Sequence, residues 1–203
     1  MTQEIATIRI ELRSLKPKIW RKVDVALTTD LETLHYIIQA AMGWTDSHMY
    51  LFEIGGENYG SYDPDFDDFE TDLPAHGTSL KEILARDFNR FLYVYDFGDN
   101  WRHDITIGNI RDGNADTKYP VFVAGEGRCP PEDVGGVWGF KNFLEVIKDP
   151  RHPEHSEITE CYGDDFDPAV MDEPQIRARL GGLASRKPGR KSGRPGSRKE
   201  KSE

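Results

Sequence analysis

The sequence predicts an α+β protein, in which a sheet of strands packs against a few helices. Short runs with apolar residues at every second position are typical of half-buried strands, and they recur through the first 110 residues. One long segment within that stretch has helical spacing of its apolar residues, and more such segments follow later in the chain. We therefore expect a core over residues 1–112 and a smaller, mostly helical elaboration over residues 113–180 that packs on it.

The composition excludes several classes of protein. With 203 residues, 37% of them hydrophobic and 31% charged, the chain is typical of globular proteins. No apolar run approaches the ~20 residues of a membrane-spanning helix, and residues 1–10 lack the apolar stretch of a secretory signal. The two cysteines are too few for a disulfide scaffold or a four-thiolate zinc site. We expect a cytoplasmic protein that does not associate with membranes.

The first two strands and the main helix have the clearest patterns. Residues 7–13 alternate strictly between apolar and polar, and residues 19–27 resume the alternation after a turn, which indicates a β-hairpin. Thr29 and Glu32 then stand at the spacing of a capping box, in which each side chain satisfies a free backbone amide of the other. Apolar residues follow at helical spacing until Gly43, which ends the predicted helix.

Three further strands and a short helix complete the predicted core. Strand patterns occupy residues 49–54, 91–95 and 103–107, and a capping box over residues 79–82 begins the short helix. The polar, acidic segment 57–77 is predicted to be a loop. This order of elements resembles the β-grasp (ubiquitin-like) fold, which lays one helix across a mixed sheet. The sequence therefore predicts a β-grasp core.

The C-terminal part is predicted to contain an edge strand and two helices. Residues 119–123 include a proline, which an edge strand tolerates. Residues 137–148 form an amphipathic pattern, and residues 172–182 lie between helix start and stop signals. About 70 residues with this much Gly and Pro form a thin core, so we expect this part to pack on the sheet. Trp101 and Trp138 are predicted to fill the seam between the two parts.

Charge is distributed unevenly along the chain. Residues 181–203 contain eight Lys/Arg against two Glu, a balance of +6, which leaves −16 on residues 1–180. With Leu183 as its one large apolar side chain, this tail cannot offset chain entropy and is expected to be disordered. Weak, non-specific binding of nucleic acid through the tail is expected. Its cations are Arg186, Lys187, Arg190, Lys191, Arg194, Arg198, Lys199 and Lys201.

Two segments contain most of the candidate site residues: a hairpin turn over residues 95–104 and a Gly/Pro-rich loop over residues 125–133. Together with a histidine that precedes the third strand, they predict a binding groove. Its residues are His48, Asp96, Asp99, Trp101, His103, Cys129, Glu132 and Asp133. Purely structural roles, or metal and acid–base chemistry, are the alternatives. No spacing matches a ligand signature such as His-Glu-x-x-His, so no cofactor is predicted and the presence of a metal is left open.

Long blocks of the sequence resemble one known family. The blocks are KPKIWRKVDV, LHYIIQAAMGWTDSHMYLFEI, YVYDFGDNWRHDI, YPVFVAGEGRCPPEDVGGVWGF and GDDFDP. They are similar to the Ri-plasmid ORF-three-like family, and the likeness runs from about residue 8 to residue 180. Members are often labelled resolvases of the TnpR type. The resemblance implies an association with plasmids and mobile DNA rather than a defined reaction.

The residues themselves do not support resolvase chemistry. A serine resolvase surrounds its nucleophile with arginines, but the alternation turns Arg9 and Arg13, near Ser14, away from the apolar face. The His-x-x-Arg spacing of tyrosine recombinases occurs nowhere in the sequence. We therefore expect a non-enzymatic binding or adaptor module with an unknown protein or small-molecule partner. The alternative is a metal- or carboxylate-dependent enzyme that uses the segments 96–103 and 132–133.

Overall fold

The computed structural model describes residues 3–60, 73–163 and 165–185, and within these ranges the protein is α+β, as predicted. The strands are β1 (Glu4–Leu12), β2 (Trp20–Ala26), β3 (Tyr50–Ile54), β4 (Glu57–Gly60), β5 (Leu73–Pro74), β6 (Arg90–Tyr95), β7 (Trp101–Asp112) and β8 (Val121–Glu126). The helices are α1 (Leu31–Met42), α2 (Leu80–Ala85), α3 (Gly136–Val146), α4 (His155–Tyr162) and α5 (Glu173–Ala184). None of these five helices is long and apolar enough to cross a membrane.

All eight strands form one sheet in the order β5-β4-β3-β6-β7-β1-β2-β8. Every pair is antiparallel except β4–β5, which pairs only two residues of each strand. The β-grasp topology is not confirmed: the sequence predicts five strands in that core, whereas the structure has eight strands in one sheet, with a single parallel pair of two residues. Two features extend the sheet: β7 is twelve residues long and pairs with both β6 and β1, and β8 joins from the C-terminal part as the edge strand beside β2.

The core lies between one face of the sheet and the helices. The register of β1 with its two neighbours places Ile8 between Val23 and Ile107, and all three side chains are buried. Helix α1 buries its apolar stripe, including Leu34 and Ile38, in the same core. Helix α5 packs against both α1 and β8, so the C-terminal part is attached to the sheet directly.

The predicted helix ends are partly correct. The capping box over residues 79–82 is confirmed, and Gly43 ends α1 in the left-handed conformation. At the start of α1, however, Asp30 is the N-cap and its carboxylate accepts from the Thr33 amide, so the predicted Thr29 box is wrong. Asp30 has the extended backbone of an N-cap and satisfies the Thr33 amide, whereas the Glu32 amide that the Thr29 box would have used donates to the Ala75 carbonyl at 3.3 Å.

Three other predictions need correction. Part of the predicted loop 57–77 is strand, since β4 and β5 lie on either side of the undescribed residues 61–72. Helix α5 continues through Gly181 to Ala184, because Leu180 is buried and Leu183 packs on the core. The predicted disordered tail therefore cannot begin at residue 181, and its remainder, residues 186–203, lies outside the described residues.

The two tryptophans expected at the seam have opposite environments. Trp101 at the start of β7 is 1% exposed and lies 6.0 Å from Trp44, ring centroid to ring centroid. Trp138, in the first turn of α3, is 83% exposed. The seam prediction is therefore wrong for Trp138, because this residue faces solvent while Phe140 and Phe143 turn the apolar side of α3 inward.

Candidate functional site

Three loops meet beside the end of β6, and we call this arrangement the three-loop site. They are residues 44–48 after α1, residues 96–100 between β6 and β7, and residues 127–135 between β8 and α3. The first two loops meet because the antiparallel register pairs Tyr50 with Tyr95, so the residues before β3 lie next to those after β6. Of the eight predicted site residues, the structure brings together His48, Asp96, Asp99, Glu132 and Asp133 in these loops.

His48 lies at the centre of the three-loop site. Its Nε2 atom is 2.9 Å from Oδ1 of Asp133 and 3.7 Å from Oδ2 of Asp96. The approach to Asp133 lacks the geometry of a hydrogen bond, and Nε2 has no hydrogen-bond partner among the described residues. This nitrogen is also shielded from solvent, although 30% of the whole side chain is exposed. The potential ligand atoms of the three residues all lie within 4.8 Å of one another.

Asp96 directs one carboxylate oxygen at His48 and uses the other to hold its own loop. The residue has a φ of 55°, in the left-handed region, and its Oδ1 accepts from the amides of Gly98 (2.9 Å) and Asp99 (3.3 Å). The side chain is only 10% exposed. One oxygen of Asp96 therefore has the purely structural role of capping its own loop, and the second oxygen remains available to a ligand.

Contacts to the third loop fix the start of loop 44–48. The indole Nε1 of Trp44 donates to the Pro130 carbonyl at 3.0 Å. The amide and the hydroxyl of Thr45 both donate to the Glu132 carboxylate, whose other oxygen accepts from the Tyr95 hydroxyl at 2.5 Å. Burial, and secondarily this carboxylate, raises the pKa of Tyr95, so its hydroxyl stays protonated and donates. Glu132 therefore joins two loops to β6.

The remainder of the loop is tied to α1 and β6. The Asp46 amide donates to Oε1 of Gln39 at 3.0 Å, and the Asp46 carboxylate lies 2.7 Å from Nε2 of His35. Burial lowers the pKa of His35, so the neutral ring donates from this nitrogen. The Ser47 amide donates to the Tyr95 hydroxyl at 3.1 Å. Each residue from 44 to 47 thus has a fixed partner, which presets the position of the following His48.

Asp99 positions the helix that follows the third loop. Its Oδ2 accepts from the Gly135 amide at 3.2 Å. Gly136 has a φ of 65°, and a Cβ at this position would lie 2.4 Å from the Asp99 carbonyl oxygen. The close approach therefore requires glycine at residue 136.

The structure places the other predicted site residues in the core. Trp101 and His103 are buried, and burial lowers the pKa of His103 to about 3, so its ring is neutral. Its Nδ1 donates to the Trp101 carbonyl at 3.1 Å, and its ring packs edge-on against Trp44. Cys129 is a buried free thiol whose pKa burial raises to about 11, so it is not an activated nucleophile.

Arg21, which is not among the predicted site residues, supports the site. The residue is 1% exposed, and its guanidinium donates to the carbonyls of Ala41 (3.0 Å), Glu126 (2.9 Å) and Gly127 (2.8 Å). It thus joins the end of α1 to the start of the third loop without a carboxylate partner among the described residues. The alternation of residues 19–25 was the available signal, because it places Arg21 on the apolar face of β2.

Two exposed aromatic residues lie in or directly after these loops. Phe97, directly after Asp96, is 41% exposed, and Trp138 follows the third loop within the first turn of α3. The ammonium group of Lys141 lies 5.4 Å from the centroid of the Trp138 ring. The three-loop site therefore combines one imidazole and several carboxylates with apolar rings open to solvent.

A second group of similar composition is explained by local structure. Asp30, Glu32 and His76 also bring potential ligand atoms within 4.8 Å of one another at the start of α1. Both oxygens of Asp30 already accept backbone hydrogen bonds, from Thr33 (2.9 Å) and Gly77 (3.1 Å). The His76 side chain is 79% exposed and donates to Glu32. These contacts stabilise the first turn of α1 and occupy the atoms that would otherwise be available to bind a metal ion.

Comparison with known proteins gives consistent results along most of the chain. Residues 4–175 match the model of a family described as plasmid pRiA4b ORF-3-like protein. An uncharacterized protein of Sinorhizobium fredii is 35% identical over 187 residues, which cover 92% of this chain and 95% of that protein. A crystal structure of a protein of unknown function from Methanosarcina mazei is 30% identical, with a TM-score of 0.77 over 89% of this chain and 99% of that chain.

Proposed function

The chain belongs to the plasmid pRiA4b ORF-3-like proteins, and within this family we propose that it is a non-enzymatic binding module whose ligand site is the three-loop site. The observation that carries the proposal is the fixed loop 44–48, in which residues 44 to 47 are each hydrogen-bonded to α1, β6 or the third loop. A surface held in one conformation loses little conformational entropy when a ligand binds, which favours affinity.

Burial of the reactive groups supports binding rather than catalysis. Cys129 stays protonated, and His103 and His35 are neutral rings inside the core. A general base or nucleophile must reach the substrate, and none of these three groups contacts solvent at the three-loop site. The carboxylates of Asp96, Asp99 and Glu132 instead accept hydrogen bonds that hold the loops together.

Trp138 supports a macromolecular partner. Large apolar side chains are seldom left in open solvent, and tryptophan is enriched among the residues that contribute most to protein interfaces. At 83% exposure, Trp138 presents nearly its whole ring beside the third loop. We take it as the anchor of a partner whose polar groups pair with the neighbouring carboxylates.

The test is a comparison of Trp138→Ala with Ile110→Ala. Ile110 is also exposed, at 51%, but lies near the far end of β7. We expect immobilised wild-type protein and Ile110→Ala to enrich the same partner from host-cell extract, and Trp138→Ala to lose it. With the purified partner, Trp138→Ala should weaken binding by about 2 kcal/mol or more, a roughly 30-fold rise in Kd. Equal binding by both variants would contradict the proposal.

The enzymatic alternative is favoured by one observation, the unsatisfied Nε2 of His48 between two carboxylates. It uses Asp96 and Asp133 from the two segments that the sequence indicated. Turnover of a small molecule that stops in His48→Gln but continues in Trp138→Ala would favour the enzyme over the binding module.

A further inference from the structure

We infer that His48, Asp96 and Asp133 bind a divalent transition-metal ion, an inference that rests on the proposed role of the three-loop site as a ligand site and names an inorganic component of that ligand. One nitrogen and two carboxylate oxygens are the donors, and they come from all three loops. A bound ion would therefore join the loops at the point where they meet.

The spacing of the donors fits one shared ion. Metal–ligand bonds of about 2.0–2.2 Å place neighbouring ligand atoms about 3.0–3.4 Å apart in octahedral or tetrahedral coordination. The observed distances from His48 Nε2 are 2.9 Å to Asp133 and 3.7 Å to Asp96, which lie on either side of that range. Shifts of a few tenths of an ångström would bring both distances from His48 into that range, and the two carboxylate oxygens, which lie within 4.8 Å of each other, would close on the same ion.

The state of His48 Nε2 is the observation that separates this group from an ordinary acidic cluster. The nitrogen is shielded from solvent and has no hydrogen-bond partner in the described parts of the chain. A polar atom in this position destabilises the folded state unless something satisfies it. A metal ion between Nε2 and the two carboxylates supplies the missing partner.

Charge and backbone geometry agree with this assignment. Among the described residues, the ion-pair contacts of Asp96 and Asp133 involve His48 alone, so no lysine or arginine neutralises the two carboxylates. Both aspartates have left-handed backbones, with φ of 55° and 59°, a conformation that is uncommon outside glycine and is often found at functional sites. The Asp133 side chain is 71% exposed, so one side of the ion would remain open to water or to a ligand atom.

The donor set selects a class of metal. Imidazole nitrogen suits Zn²⁺, Cu²⁺, Fe²⁺ and Ni²⁺, and zinc also accepts carboxylate oxygens. Mg²⁺ and Ca²⁺ prefer oxygen donors alone and gain little from His48. The expected ligand is therefore a first-row transition ion such as zinc.

The experiment is a calorimetric titration of the purified, chelator-treated full chain with zinc chloride. The variants are His48→Gln and Asp133→Asn, and the matched control is His76→Gln, which alters the other His/Asp/Glu group. We expect wild type and His76→Gln to bind one zinc ion per chain with the same affinity.

Asp133→Asn should weaken zinc binding at least ~10-fold and His48→Gln ~100-fold, and excess Mg²⁺ should not compete with zinc. In ¹⁵N spectra of the histidine rings, zinc should shift the Nε2 resonance of His48 and leave His76 unchanged.

Thermal unfolding of His48→Gln and Asp133→Asn without metal will show whether both variants remain folded. Asp133, as the most exposed donor, supplies the second test if His48→Gln unfolds. Zinc affinity that is unchanged in Asp133→Asn, or lost in His76→Gln, overturns the inference. If zinc does not bind but Trp138→Ala still loses the partner, the metal inference fails and the proposed function stands. If zinc binds but no partner depends on Trp138, the metal inference stands and the proposed function fails.

Discussion

At the scale of single residues, burial decides which polar side chains are available for function. His48 and His103 both have an Nε2 atom without a hydrogen-bond partner among the described residues. The two differ in surroundings: His103 lies wholly inside the core, whereas His48 lies among carboxylates at the end of a fixed loop. The same unsatisfied atom therefore supports the proposed ligand site in one case and belongs to a buried neutral ring in the other.

The buried ring of His103 predicts a dependence of stability on pH. Burial lowers its pKa to about 3 in the folded state, from about 6.5 in the unfolded chain. Between these values the unfolded chain binds a proton that the folded protein does not, so the free energy of unfolding falls on acidification, by up to about 1.4 kcal/mol per pH unit. Above pH 6.5 this contribution is fully present. His35, whose pKa burial also lowers, acts in the same direction.

Urea unfolding of wild type and His103→Gln between pH 4 and pH 7 measures this effect. The substitution removes one titrating group, so the dependence of the unfolding free energy on pH should become shallower by up to one proton. His152→Gln is the control, since this residue lies outside the core. Parallel pH profiles for wild type and His103→Gln would show that the ring already takes up its proton in the folded protein.

At the scale of elements, the sequence was informative where periodicity and caps are strong. Alternation located β1, β2, β6 and β7, and apolar spacing with Gly43 located α1. The sequence did not predict α4 or β5. Helix α4 has no buried residue and β5 has only two residues, so neither shows a repeating apolar pattern.

The candidate site was predictable in its residues but not in its contacts. His48, Asp96, Glu132 and Asp133 stand out as polar groups in turn-forming segments. Thr45 contacts Glu132 across 87 positions of the chain, and such pairs depend on the packing of the three loops rather than on local patterns. The position of Arg21 followed from the alternation, but its partners are backbone carbonyls, which carry no sequence signal.

The close approach of Gly136 in α3 to the Asp99 carbonyl in loop 96–100 predicts that two glycine substitutions change stability in opposite directions. Gly136→Ala would bring a Cβ to 2.4 Å from the Asp99 carbonyl oxygen at a φ of 65°, so we expect a loss of about 1–3 kcal/mol in the free energy of unfolding. Gly181→Ala, inside α5 with nothing within 4 Å, is the control and should stabilise by up to ~1 kcal/mol. Denaturant unfolding compares them. Equal effects would show that α3 does not depend on this close approach.

At the scale of the whole molecule, the C-terminal part completes the sheet rather than standing beside it. Strand β8 pairs with β2, and α5 packs on α1 and β8. The division of the chain after residue 112 remains a prediction. A core of residues 1–112 alone would lack β8, the edge strand that pairs with β2. Helix α5 ends at Ala184, so the basic segment begins immediately after the last element of the described structure.

That arrangement gives a prediction for residues 186–203, which contain all eight cations of the C-terminal segment. We expect the full chain to bind duplex DNA weakly and without sequence preference, with Kd of roughly 10⁻⁴–10⁻⁶ M that rises steeply with salt as counterions are released. A chain ending at Ser185 should lose this binding, because its remaining charge is −16. Its thermal stability should not change, since Leu183 and its packing on the core are retained.

A fluorescence titration of labelled duplex with both chains, at two salt concentrations, tests this prediction. The truncation point matters, because removal from residue 181 would cut into α5 and confuse lost binding with lost packing. Binding that survives in the chain ending at Ser185, or that prefers one DNA sequence, would place the contact on the folded body. Since that body is acidic, such binding would require a local basic face, and the resolvase-type interpretation would then regain support over a tail that acts only through its charge.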